Sequence, residues 1–186
     1  MPLQALLSSF GLVFLTEIGD KTMLATLCLS AQYRRPHIVL LAAMLALAFA
    51  SVIAVFVGVV LAATLPIDFI LYLSGALFIG MGVHALIRNS PDAEDCKQPT
   101  TFLSMVSLVL LSELGDKSQL AILALAAQSL FPLLVFAGAI AGFFLVNLVG
   151  AYSGDQLADR IPVTMVRKGT GIVFIAFGIL IILGFM

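Results

Sequence analysis

Charge is what this chain has least of. Only 10% of its 186 residues are Asp, Glu, Lys or Arg, where soluble proteins carry about 25%. That leaves too little ionic side chain to coat a water-facing surface, which excludes a globular cytosolic enzyme and a disordered chain alike. Nor is one sign in surplus: nine Lys and Arg stand against ten Asp and Glu, a formal charge of −1. A nucleic-acid binder needs a basic face, so that partner is excluded too. Cysteine is scarce. Cys28 and Cys96 cannot build a disulfide framework or a multi-cysteine metal site. Cys28 falls in an apolar stretch and Cys96 in a polar one, so two unpaired thiols are expected. What the chain does have is apolar residues, 62% of the total with a mean hydropathy of +1.19. It reads as an integral membrane protein.

A helix crossing a hydrocarbon layer of about 30 Å needs roughly 20 residues. Apolar stretches set against polar punctuation predict six such spans, at 4–31, 37–63, 66–88, 101–128, 132–153 and 164–185. Runs of this length without alternation exclude a lipid-facing barrel, so the predicted class is all-α. The first stretch has no basic n-region and runs into Glu17, so it is expected to be half of a span and not a cleavable signal. The basic residues fall on one side. Arg34, Arg35, Arg88, Lys97, Arg160, Arg167 and Lys168 flank the first, third and fifth connections, and the others carry none. The positive-inside rule then puts these connections in the cytoplasm and both termini outside, in a multi-pass protein of the cell (inner) membrane. His37 and His84 fall at the cytoplasmic span ends as interfacial residues, and Asp68 in an external turn.

A repeat underlies the spans. Glu17-Ile18-Gly19-Asp20-Lys21-Thr22 returns as Glu113-Leu114-Gly115-Asp116-Lys117-Ser118, an offset of 96, and that offset also aligns Gln32 with Gln128, Pro66 with Pro162, Gly75 with Gly171 and Phe78 with Phe174. The predicted organisation is therefore a first three-helix repeat over 1–88, a cytoplasmic linker over 89–100 and a second repeat over 101–186. Three is odd, so the second copy enters the membrane inverted, and sites in such folds lie near the midplane where repeats meet.

Ionisable groups carry the chemistry. Glu17 and Glu113 stand midway along their spans, where a charge costs at least ~2.5–3.5 kcal/mol. Glu17 to Lys21 and Glu113 to Lys117 are i,i+4 pairs in the favourable order, so structural salt bridges are one reading. Yet four carboxylates, Glu17, Asp20, Glu113 and Asp116, outnumber the two lysines, and −4 + 2 leaves −2. Gly19 and Gly115 weaken each helix beside the acids and permit a kink. Lys21, Lys117, Thr22, Ser118, Gln119 and Asn147 are supporting candidates, with Asn147 and its repeat mate Ser51 first read as interhelical hydrogen-bonding groups. No His or Cys lies in either hexapeptide, and oxygen ligands suit hard divalent cations, Ca²⁺, Mn²⁺ or Mg²⁺. The scattered methionines offer no soft-metal path. Ala42, Ala46 and Ala50, and Gly138 with Gly142, have the small-xxx-small spacing of close helix packing.

Twin E-x-G-D-K/R-T/S hexapeptides, one in each three-helix half, resemble the signature of a cation-exporter family. It includes the bacterial manganese exporter MneA and the eukaryotic Golgi calcium/manganese transporters. The resemblance covers essentially the whole chain. It implies a secondary transporter that exports Mn²⁺ or Ca²⁺ from the cytoplasm in exchange for protons, with Glu17, Asp20, Glu113 and Asp116 as the ion-binding acids. It implies no catalysis and no cofactor beyond the transported ion. The expected partners are the divalent ion and the bilayer, and a homodimer is left open. Two rivals stand beside it. An amino-acid or small-solute exporter shares the layout but would want positive charge at its site. A diaspartyl intramembrane protease also embeds aspartates, but a lysine after each one opposes a shared-proton dyad.

Overall fold

The computed structural model describes residues 2–87, 101–153 and 163–183, apart from the side chains of Lys21, Ala85, Thr170 and residues 163–167. Its regular structure is helical throughout: α1 (Pro2–Glu17), α2 (Lys21–Tyr33), α3 (Pro36–Thr64), α4 (Ile67–Ile87), α5 (Phe102–Glu113), α6 (Lys117–Gln128), α7 (Pro132–Ser153) and α8 (Val163–Ile182). Pro36 opens α3 and Pro132 opens α7, the first-turn position where a missing N–H costs nothing. A reciprocal capping box, Thr101 with Ser104, opens α5. The expected linker 89–100, with Arg88, Lys97 and Arg160, lies outside the described residues.

The stretches 4–31 and 101–128, expected as single spans, are each two helices. α1 and α2 meet at a bend of 61°. By length and composition α3, most of α4 and α7 each suffice to cross a membrane, and the bent α1–α2 pair passes jointly, giving three spans or up to four among the described residues. The helices repeat at the sequence offset: Lys21 and Lys117, Pro36 and Pro132, and Ile67 and Val163 all begin helices 96 residues apart.

Packing repeats as well. α1 lies on α7 as α5 lies on α3; α2 lies on α7 as α6 lies on α3; α4 packs on its own counterpart, α8. Phe78 and Phe174, repeat mates and both fully buried, pack with tilted rings whose centroids lie 5.7 Å apart. A methyl added to Gly82 would meet the Gly171 carbonyl at 2.6 Å, and one added to Gly178 would meet the Gly75 carbonyl at 2.7 Å. As one residue number rises the other falls, so the two corresponding helices run antiparallel. The small-residue faces of α3 and α7 behave as their spacing anticipates. Ala42, Ala46 and Ala50 are buried, and Gly138 presses on Ser9 and the Leu6 carbonyl. Without water to reward apolar burial, close backbone approach of this kind is what holds membrane helices together. Cys28 is disulfide-bonded, to a partner outside the described residues. This corrects the expectation of unpaired thiols, since the polarity of two surroundings does not set the distance between them.

Gly58 shows how little slack remains: an added methyl would come within 2.5 Å of the Leu123 carbonyl on α6, whereas Gly80 has open space. Gly58→Ala is expected to lower stability by about 1–3 kcal/mol through overpacking. Gly80→Ala should leave it unchanged or raise it slightly. Thermal unfolding of the two variants in detergent compares them directly.

Candidate metal-binding site

Two helix breaks build the site. α1 stops at Glu17 and α2 starts at Lys21; α5 stops at Glu113 and α6 starts at Lys117. In each gap sits a glycine in the left-handed region, Gly19 at φ 70° and Gly115 at φ 84°, a conformation that side chains resist. The turns are closed alike, by the Asp20 N–H donating to the Glu17 carbonyl at 3.1 Å and the Asp116 N–H to the Glu113 carbonyl at 3.0 Å. Asp20 and Asp116 occupy the N-cap positions of α2 and α6, yet neither carboxylate bonds back onto its helix. Both keep the favourable field of a helix N-terminus while their oxygens face elsewhere.

They face into a shared cluster. Glu17, Asp20 and Asp116 each place a carboxylate oxygen within 4.8 Å of the other two. Two of these acids come from the first hexapeptide and one from the second, 96 residues away. Lys117 also crosses between halves, with Nζ 2.6 Å from Asp20 Oδ2. The i,i+4 pair of Glu113 with Lys117 that the spacing suggested is not formed, because the break at 114–116 removes the helical register that would align them. The side chain of Lys21, in the matching position, is outside the described set.

Glu17 is the least accessible of the acids. Its side chain is fully buried and neither carboxylate oxygen has a hydrogen-bonding partner. Glu113 is buried too, but it is not one of the three clustered acids; its Oε2 accepts a long 3.4 Å contact from the Ser118 hydroxyl. Three of the four expected acids thus lie within 4.8 Å of one another, and Glu113, outside that trio, accepts from Ser118. The hydroxyl of Thr22, the repeat mate of Ser118, is buried without a partner, as are both amide atoms of Gln119. In most proteins such groups are paired, so the residues just beyond the breaks carry spare hydroxyl and amide dipoles. Among the described side chains, the cluster sets three carboxylates beside the Lys117 ammonium. This donor set contains oxygen only, the chemistry of a hard divalent cation.

Asn147 belongs to the scaffold. Its Oδ1 accepts from the Thr26 hydroxyl at 2.7 Å and its amide donates to the Phe143 carbonyl at 2.9 Å, tying α2 to α7. Thr26 was not singled out from the sequence. The available signal was its place one helical turn beyond Thr22 in an otherwise apolar stretch. The bond has no counterpart in the other half, where Ile122 replaces Thr26 and the Ser51 hydroxyl is buried without a partner.

Comparison with known proteins agrees with this chemistry. The family model described as "Divalent cation/proton antiporter GDT1" matches residues 5–93 and 101–185. A Vibrio cholerae protein that carries the provisional name of manganese exporter is 32% identical over 169 residues, covering 90% of this chain and 84% of its own. GDT1-like protein 2, chloroplastic, of Oryza sativa is 30% identical over 207 residues, 92% of this chain but 59% of the plant protein. GDT1-like protein 5 of Arabidopsis thaliana is 27% identical, with 95% and 94% covered. No solved structure matches the chain. The family is one of membrane transporters, so the protease reading falls and the metal ion is cargo, neither cofactor nor catalyst. The chain belongs to the GDT1 family of divalent cation/proton antiporters.

Proposed function

We propose that this protein exports a divalent cation, Mn²⁺ in preference to Ca²⁺, from the cytoplasm in exchange for protons, and that Glu17, Asp20 and Asp116 hold the ion with Glu113 joining them on loading. One observation carries the reading. A fully buried glutamate with two unpartnered oxygens lies beside aspartates from both halves. An isolated carboxylate in an apolar medium is untenable unless a proton or a cation neutralises it. Alternation between those two neutralising partners is the elementary act of exchange. The preference for Mn²⁺ draws on the name carried by the Vibrio relative.

The surrounding architecture supports transport by alternating access. We take the helices as six spans, α1–α2, α3, α4, α5–α6, α7 and α8, inserted as two inverted halves, 1–88 and 101–186, joined by a cytoplasmic linker. Antiparallel packing of α4 on α8 and the exchanged pairing of the other helices support that arrangement. The basic residues favour both termini outside and a place in the cell membrane. Lys117 serves as a tethered cation: bonded to Asp20 while the site is empty, it limits repulsion among the acids and yields its place to the incoming ion. An amino-acid cargo is disfavoured, because its carboxylate would meet three others. A homodimer is compatible with this reading and is not required by it.

Uptake by inside-out vesicles, with Mn²⁺, Ca²⁺ and Mg²⁺ compared across a range of pH, tests the proposal. Uptake should saturate, require an opposing proton gradient and favour Mn²⁺. Glu17→Gln and Asp116→Asn should each reduce it by at least about tenfold, a loss of ~1.4 kcal/mol. Near-normal flux in both would refute the site, and flux that never saturates would make the protein a channel.

Lys117→Gln separates the tethered cation from a merely structural ion pair. Removing the internal competitor is expected to tighten equilibrium Mn²⁺ binding about tenfold (~1.4 kcal/mol) while lowering the maximal rate, because the empty carrier loses its neutralising group. Weaker binding with an unchanged rate would contradict the assigned role.

A further inference from the structure

The two ends of the acid cluster are pseudo-equivalent, yet they are built from different side chains. At one end Leu29 of α2, Val39 and Ala42 of α3 and Met105 of α5 form a separate apolar cluster, packed by Tyr33. Leu29 and Met105 are each only 3% exposed. Stepping 96 residues along gives their counterparts at the other end: Leu125 for Leu29, Val135 for Val39, Gly138 for Ala42, Ser129 for Tyr33 and, stepping back, Ser9 for Met105. The aliphatic frame is kept, but the two bulky plugging side chains become serines and the alanine loses its methyl. Ser9 and Gly138 seat α1 directly on α7. Beside them the structure opens a cleft of about 180 Å³, lined in part by Leu125, Val135 and Ser129 together with Gln4, Ser8 and Gln128. The buried amide atoms of Gln128 have no partner. One end is therefore a closed apolar cluster, and its symmetry mate is a cleft of mixed lining, in which Ala5, Leu130 and Phe131 stand beside the glutamines and serines.

The size and chemistry of the opening indicate what it takes. A cleft of this size has room for a cation together with water. Amide and hydroxyl dipoles without a formal charge orient that water and do not trap the ion, as a conducting mouth requires.

We propose that the cleft bounded by Gln4, Ser8, Gln128 and Ser129 is a vestibule for the hydrated divalent cation, and that the Leu29–Val39–Ala42–Met105 cluster is the shut gate of the opposite mouth. The residues thus define a resting carrier closed on the basic, cytoplasmic side and open on the other, the difference being written into Met105 and Tyr33 against Ser9 and Ser129. This rests on the transport reading above for its cargo and sidedness, but the gate itself is tested without any metal.

In a chain with Cys28 and Cys96 replaced by alanine, single cysteines are placed at Leu125→Cys and Leu29→Cys. Each is treated from either side with a membrane-impermeant cationic thiol reagent. Leu125→Cys should react from outside, and Leu29→Cys should resist from both sides. Adding Met105→Ser and Tyr33→Ser should raise Leu29→Cys labelling from the cytoplasmic side at least tenfold, and adding Ser129→Tyr should slow Leu125→Cys labelling to a similar degree. Equal labelling of the two cysteines, or no response to either set of exchanges in chains that retain a cooperative thermal transition, overturns the gate. For the vestibule, Gln128→Lys sets a positive charge in the path. Export of Mn²⁺ should fall about tenfold while equilibrium Mn²⁺ binding is unchanged. Unchanged export in Gln128→Lys alongside lost export in Glu17→Gln would sink the vestibule and leave the acid site standing, whereas retained export in Glu17→Gln would count against the acid site.

Discussion

The structure depends on a charge problem. Acids from two segments 96 residues apart meet at one buried point, and the lysine described there balances only part of their charge. In water such a cluster would be weakly repulsive and would drift apart; in an apolar surround it costs several kcal/mol unless something compensates it. Each local feature of the centre serves that compensation. The glycine breaks bring helix N-termini up to the aspartates, the lysine reaches across to the opposite half, and spare hydroxyl and amide groups stand nearby. A site with this balance holds charge only conditionally, and a carrier that must both load and release an ion needs that property.

Holding the acids together falls to the helices around them. α3 and α7 carry small-residue faces that let α5, α6, α1 and α2 approach to backbone distance, and α4 grips α8 through paired glycines. Each of these contacts has a counterpart in the other half. The resulting pseudo-symmetry lets two alternative arrangements of the same parts be close in energy, which alternating access requires. Departures from symmetry then acquire meaning. Thr26 bonds to Asn147 on one side only, Ser118 holds Glu113 while Thr22 is unpartnered, and Met105 plugs one mouth where Ser9 stands at the other.

Much of this was legible in the sequence because the medium is strict. Long apolar runs in a chain so poor in charge have helices as their solution, and the repeated hexapeptides announced both the duplication and the acids. Gly19 and Gly115 signalled the kinks, though not that they would divide each stretch into two helices. The i,i+4 logic misled for Lys117, since it presumes an unbroken helix where the structure has a left-handed glycine. The bonded state of Cys28 was likewise not readable, because chain proximity and spatial proximity differ.

Composition and repetition by themselves determined that the chain is a helical membrane protein, that its acids come in two matched sets and that those sets carry excess negative charge. These are properties of residue identity and spacing, and no contact is needed to define them. Tertiary structure alone decided that three of the four acids cluster while Glu113 accepts from Ser118, that Lys117 pairs across the halves, and that an apolar cluster fills one end where a cleft lies at the other. Those outcomes are distances between residues far apart along the chain. They follow from how closely glycine and alanine let backbones approach, which no periodicity records.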